Sequence, residues 1–171
     1  MQRPTESEFI PAAKNYIDLV PEGKFLDLME QNKTQIISFF SAIPSEKENF
    51  RYSEKKWTIK QTLLHMADTE RVMSFRALAL SRGDVEAEFC DMDEKLYASN
   101  ADPSSRSLED ILKEFITVRD ASVFLFKYLS DEHFGQVGSL FGYPVTPRGF
   151  GYIIIGHALH HINIVRTRYL S

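Results

Sequence analysis

Three histidines, His157, His160 and His161, lie close together near the C-terminal end of the sequence. In an α-helix four positions turn a side chain through about 400°, so His161 would lie about 40° round from His157 and one turn further along. Phe150 and Ile153 would share that face, which makes it the apolar side of the helix. A His-x-x-x-His pair on the inward face of a bundle can clamp one metal ion through both imidazoles.

Two imidazoles are too few for a stable site, and His65 is the remaining candidate for a third ligand. A single histidine on a helix is most often only hydrogen-bonded, and His160 could also take a ligand position. His133 follows the third predicted helix and is expected at the surface. Cys90 could be a reactive thiol, although one cysteine in a loop is more often a small residue without a chemical role. From residues alone, the pattern indicates a metal site with the ligand set open.

Four segments with helical periodicity would position these histidines. In chain order they begin near Phe25, Thr58, Ser107 and Thr146. Thr58 and Gln61 fit a capping box, and Pro147 suits a first helical position. A connection over residues 83–106 separates the second helix from the third, and residues 139–145 could form a small ribbon. The pattern predicts an all-α four-helix bundle, with residues 1–171 as one domain.

The second predicted helix carries another apolar stripe away from its main apolar face. The stripe is formed by Leu64, Val72, Phe75 and Ala79. A helix that is apolar on two faces is either central in a bundle or shared with a partner chain. We therefore expect a homodimer.

Composition limits the classes of partner. The 171 residues include 20 Lys and Arg against 24 Asp and Glu, a net charge of −4, which gives little support to nucleic-acid binding. No run of about 18 apolar residues occurs, so no membrane partner is expected. The N-terminus has acids and a proline where a signal peptide needs an apolar stretch. These features favour a soluble, cytoplasmic protein.

Several segments in order resemble the DinB-like superfamily. They are Trp57–Arg71, which contains His65, then Phe75–Asp84, Met92-Asp93-Glu94 with Tyr97, Ser107–Phe115, and Gly156–Tyr169 with its three histidines. The resemblance extends over about residues 15–170. This chain departs from the family's loop pattern at Asp91 and at Met92, which replaces an aromatic residue.

The resemblance implies an up-up-down-down bundle with a divalent metal site at His65, His157 and His161, with zinc or nickel as the ion. It also implies a metal-dependent enzyme that acts on a small-molecule substrate and activates either a low-molecular-weight thiol, as a thiol S-transferase, or water, as an amide hydrolase. Other members have no established activity, so a non-catalytic metal-binding or stress-response module is the alternative.

Asp68 could orient a ligand or pair with Arg71 or Arg76, and Glu70 could support a ligand or pair with an arginine inside the bundle.

Overall fold

The computed structural model describes residues 2–170, and within them the chain is mainly helical. The helices are α1 (Lys14–Ile17), α2 (Phe25–Ser41), α3 (Ile59–Ser81), α4 (Glu94–Asn100), α5 (Leu108–Lys127), α6 (Asp131–Phe134) and α7 (Pro147–Ile164). Strands β1 (Gly138–Leu140) and β2 (Tyr143–Val145) form an antiparallel ribbon with Leu140 opposite Tyr143. The four long helices and the ribbon are those predicted from the sequence.

Side-chain caps fix where α3 and α7 begin. The backbone N–H of Gln61 donates to Oγ1 of Thr58 at 3.1 Å, and the backbone N–H of Thr58 donates to Oε1 of Gln61 at 2.9 Å. The backbone N–H of Gly149 donates to Oγ1 of Thr146 at 3.1 Å, with Pro147 at the first helical position. These bonds satisfy N–H groups that lack a partner within the helix, so both starts are set locally.

The four long helices pack around a shared core. Helix α3 packs against α5 and α7, and α2 packs against the same two helices. The helices α2 and α3 therefore occupy opposite corners, joined through α5 and α7. One apolar cluster centres on residues such as Met29, Leu80 and Phe150, and a second on residues such as Leu63 and Phe115.

Within residues 2–170 no helix has both the length and the apolar character needed to cross a membrane.

An N-terminal segment that the periodicity did not predict covers part of α7. Its short helix α1 packs on α7, and Ala13, Ile17 and Val20 are buried. Close approach depends on Gly156, where an added Cβ would lie 2.0 Å from the carbonyl oxygen of Tyr16. A glycine is therefore required where this segment crosses the helix.

The second apolar stripe of α3 is divided between core and surface. Leu64 is buried in the second cluster, whereas Phe75 keeps 62% of its surface exposed. Phe75 and Leu78 line an apolar groove between α3 and α5, together with Phe124. Helix α4 covers the first turns of α3, where Leu64 lies, whereas Phe75 lies further along α3 and is contacted by the ring of Phe89. The expected homodimer stays a prediction.

Candidate metal centre

Two packed helices bring His65, His157 and His161 together. His65 lies in the second turn of α3, and the other two lie one turn apart on α7. All three side chains are buried, with 4%, 4% and 8% of their surfaces exposed. The helical repeat of α7 places both of its histidines on one face, as predicted, and in the structure α7 packs against α3.

The distances between the ring nitrogens suit one bound ion. Nε2 of His157 lies 3.1 Å from Nε2 of His65 and 3.0 Å from Nε2 of His161. One nitrogen from each residue lies within 4.8 Å of the others. A tetrahedral zinc ion with ligands at about 2.0–2.1 Å requires nitrogens about 3.3 Å apart. The trio is therefore capable of holding a divalent ion with little movement.

Hydrogen bonding alone does not account for this cluster. A neutral imidazole nitrogen carries either one proton or one lone pair, and Nε2 of His157 faces two other nitrogens. It can form a well-directed bond to one of them only. An ion at the centre would use all three lone pairs, so the donor set fits a metal better than a set of mutual hydrogen bonds.

Burial keeps these imidazoles in the form that binds metals. Burial lowers the pKa of His65 to about 4. Burial, with the neighbouring His65 and His160, lowers the pKa of His161 to about 3. Burial and the other three imidazoles hold the pKa of His157 well below its usual value. The trio is therefore neutral at pH 7.

The two acids considered as supports for the ligands are paired elsewhere. Oδ1 of Asp68 accepts from Arg71 at 2.9 Å. Both carboxylate oxygens of Glu70 accept from Arg119 inside the bundle, at 2.8 and 2.9 Å. The pairings proposed for both acids are confirmed. Nδ1 of His65 is buried and has no hydrogen-bond partner among the described residues.

Aromatic rings contact the trio from two sides, and the histidine pattern did not identify them as part of the site. The Trp57 ring lies 4.6 Å from that of His65, between centroids. The Tyr16 ring meets His157 edge-on at 5.4 Å. Trp57 lies in the segment Trp57–Arg71, and the resemblance of that segment to the DinB-like superfamily was the one feature of the sequence that could have pointed to it. No local signal marked Tyr16, because its place depends on the packing of α1 against α7.

The other candidates lie outside the trio. The His160 ring contacts His161 and Tyr16 at centroid distances of 5.2 Å, and burial lowers its pKa. His133 is exposed, as predicted, and its Nδ1 lies 2.9 Å from Oγ of Ser130. Cys90 is an exposed thiol in the segment between α3 and α4. The structure thus groups His157 and His161 with His65, and His160 contacts this trio without belonging to it.

A cleft lies beside the trio at His161. Its volume is about 320 Å³, and His161 forms part of its wall. The other lining residues are aromatic, basic or β-branched: Tyr52, Lys55, Lys56, Trp57, Thr62, Lys95, Ile164 and Tyr169. A site with three protein ligands and an open side can bind a further ligand, whereas a structural zinc site is normally closed by four.

Comparisons with known proteins identify the fold and the family of the chain. The chain is similar in structure to YfiT from Bacillus subtilis, with a TM-score of 0.73 and 16% identity, over 96% of this chain and 92% of that one. That protein is described as a probable metal-dependent hydrolase with an unusual four-helix bundle topology. None of the curated proteins compared matches the sequence significantly. A family model described as the DinB superfamily matches residues 28–165. Because this match covers most of its length, the chain belongs to the DinB superfamily.

Proposed function

We propose that His65, His157 and His161 hold one divalent ion, zinc or nickel, in an enzyme that activates a small thiol for transfer to an electrophile. The observation that carries the proposal is the convergence of three buried Nε2 atoms, 3.0 and 3.1 Å apart, beside an open cleft. Neutral imidazoles add no negative charge, so the centre would keep the full charge of the ion. A bound ion of this kind favours the deprotonated form of a thiol or of water.

Thiol transfer needs little else from the protein. The thiol proton goes to solvent, a sulfur–carbon bond forms, and the leaving group of the electrophile departs with its electron pair. Amide hydrolysis also needs a proton donor for the departing amine. No Asp or Glu lines the described cleft, which favours the thiol reaction. The tyrosines and lysines of the cleft could serve a hydrolase in this role, and so could His160, which contacts His161.

We also propose the up-up-down-down order of the four long helices. Both α2 and α3 contact α5 and α7. If α2 and α3 run one way and α5 and α7 the other, every neighbouring pair is antiparallel, and the helix dipoles of each pair oppose one another. The contacts of the helices therefore support this order.

The test begins with metal analysis of tag-free protein, followed by assays with a panel of electrophiles and a panel of amides, each with and without added thiol. We expect turnover of electrophiles that needs both metal and thiol. Metal-dependent turnover of amides alone would establish the hydrolase instead. Bound metal with no turnover in either panel would favour a non-catalytic binding module.

A further inference from the structure

The cleft beside His161 combines basic and aromatic walls. Lys55 and Lys56 come from the loop before α3, and Lys95 comes from α4, so two separate elements contribute positive charge to the cleft. No acidic residue lines it in the part of the chain described. An ion at the histidine end would add further positive charge to the same space.

These three lysines form no ion pair with a carboxylate, and the same is true of Lys24, Lys47, Lys60 and Lys127 among the described residues. Lys14, Lys33 and Lys113 each form ion pairs with an acid at 2.7–3.4 Å. Among residues 2–170, no carboxylate lies within 4.0 Å of the Nζ atoms of the cleft lysines. The whole chain has a net charge of −4, so this is a local positive region on an acidic protein. Such a region raises the local concentration of small anions.

The aromatic wall of the cleft is held in place by its own contacts. The hydroxyl of Tyr169 donates to the backbone carbonyl of Trp57 at 2.9 Å. The rings of Tyr52 and Tyr169 meet edge-on with centroids 4.8 Å apart. Trp57 in turn contacts His65 of the trio. This wall offers a fixed apolar surface between the lysines and the histidines, which suits the carbon skeleton of an organic molecule more than a bare inorganic ion.

We infer that the cleft binds a small organic anion, with its acidic group at Lys55, Lys56 and Lys95 and its carbon skeleton against Trp57. The end that reacts would then lie toward His161. The inference rests on the proposed function in placing the chemistry at the histidine end, and it specifies the substrate class: the thiol is itself an anion, carrying a carboxylate or an equivalent acidic group.

The experiment uses Trp57, which is the single tryptophan of the chain and lines the cleft. Its fluorescence is titrated in full-length, tag-free protein, both metal-loaded and metal-depleted. The probes are mercaptosuccinate, the uncharged 1-thioglycerol, succinate, which lacks the thiol, and inorganic phosphate. Metal content is measured on each sample before and after titration, because mercaptosuccinate can itself remove metal.

We expect mercaptosuccinate to bind at least about tenfold more tightly than 1-thioglycerol, and succinate to bind more tightly than phosphate even without metal. Lys95→Gln should weaken succinate binding about three- to fivefold, and Lys55→Gln with Lys95→Gln about tenfold, since each exposed charge contributes modestly. Lys24→Gln removes the same charge from an exposed lysine outside the cleft and should change nothing. Higher salt should weaken succinate binding and leave 1-thioglycerol unaffected.

Equal affinity for charged and uncharged probes would overturn the inference, as would unchanged succinate binding in the double lysine variant. Phosphate binding as tight as succinate would also overturn it, because the aromatic wall would then contribute nothing. Failure of the proposed function gives a different result. In that case the histidines hold no metal, or no turnover follows, while the metal-depleted protein still prefers succinate and loses that preference in the lysine variants.

Discussion

Arg119 is fully buried and donates two parallel hydrogen bonds to the carboxylate of Glu70, at 2.8 and 2.9 Å. A further bond of 2.7 Å runs from Arg119 to Oδ1 of Asn32, so one guanidinium links α5 to both α3 and α2. Bidentate geometry is the strongest form of this pair. It holds α3, the helix that carries His65, at a defined height in the bundle.

We predict that Glu70→Ala lowers the free energy of unfolding by about 3–5 kcal/mol, because it leaves the charge of Arg119 buried and uncompensated. Glu109→Ala is the matched control, since Glu109 pairs with Lys113 at 2.7 Å on an exposed surface. Such an exposed pair contributes little to stability, because solvent screens both charges. Urea denaturation measures both variants. Similar losses in the two would show that the buried pair does not anchor α3.

Alanine at His65, His157 or His161 should remove stoichiometric metal, because two imidazoles remain in each case and the open site then has too few ligands. His160→Ala is the sharpest control, since it removes an imidazole from the same helix, next to His161. Metal analysis after dialysis measures the ratio of ion to protein. Full occupancy in all three alanine variants of the trio would place the ion elsewhere.

The metal-free protein should lose stability as the pH falls below about 6.5. A histidine in the unfolded chain has a pKa near 6.5, whereas burial lowers the pKa of His65 to about 4 and that of His161 to about 3. Between these values the unfolded chain binds more protons, so stability rises with pH in that window and is complete above it. For His65 alone the effect is of the order of 3 kcal/mol.

Denaturation of metal-free protein between pH 4 and 8 checks this dependence. His65→Gln cannot take up the proton, so its stability should fall less steeply with acid, while His133→Gln at the surface should follow the parent. Parallel curves of stability against pH for the parent, His65→Gln and His133→Gln would contradict this mechanism. Because ligation competes with protonation, the metal affinity of the folded protein should weaken only as the pH approaches the lowered pKa of His65, about 4. The metal-free chain should still fold at neutral pH, since its core does not depend on the ion.

Gly156→Ala should displace the N-terminal segment from α7, because the new Cβ would lie 2.0 Å from the carbonyl oxygen of Tyr16. Overpacking of this kind costs about 1–3 kcal/mol. Gly135→Ala is the control, since its Cβ would lie 3.5 Å from the nearest atom. The melting temperature and the metal affinity should both be lower in Gly156→Ala than in the parent protein. If the melting temperature and the metal affinity of Gly156→Ala equal those of the parent, the position of Tyr16 does not depend on this close approach.

Phe75→Asp should shift the protein from dimer to monomer if a second copy covers the groove that Phe75 lines with Leu78 and Phe124. A contiguous apolar surface of this kind on a folded chain often marks an interface. Val137 is 55% exposed and lies outside the groove, so Val137→Asp is the control. Light scattering at high micromolar concentration gives the mass. A monomeric parent protein would rule out the homodimer.

Local signals in the sequence determined the four long helices and part of the site. The capping box at Thr58 and the proline at position 147 act within one turn, so they could be interpreted without knowledge of the fold. The helical repeat likewise placed His157 and His161 on one face. Such features depend on residues a few positions apart, and the structure reproduces them.

Tertiary packing decided what the local pattern left open. His65 lies 92 positions from His157, and only the packing of α3 against α7 brings their nitrogens to 3.1 Å. Periodicity assigns a residue to a face of its own helix, but it does not say which other helix covers that face. For the same reason periodicity placed Leu64 and Phe75 in one apolar stripe, although the structure buries the first and exposes the second. Tyr16 lies beside His157 because Gly156 lets two backbones approach closely. Contacts between distant segments depend on the shapes of both surfaces, which no single stretch of sequence contains.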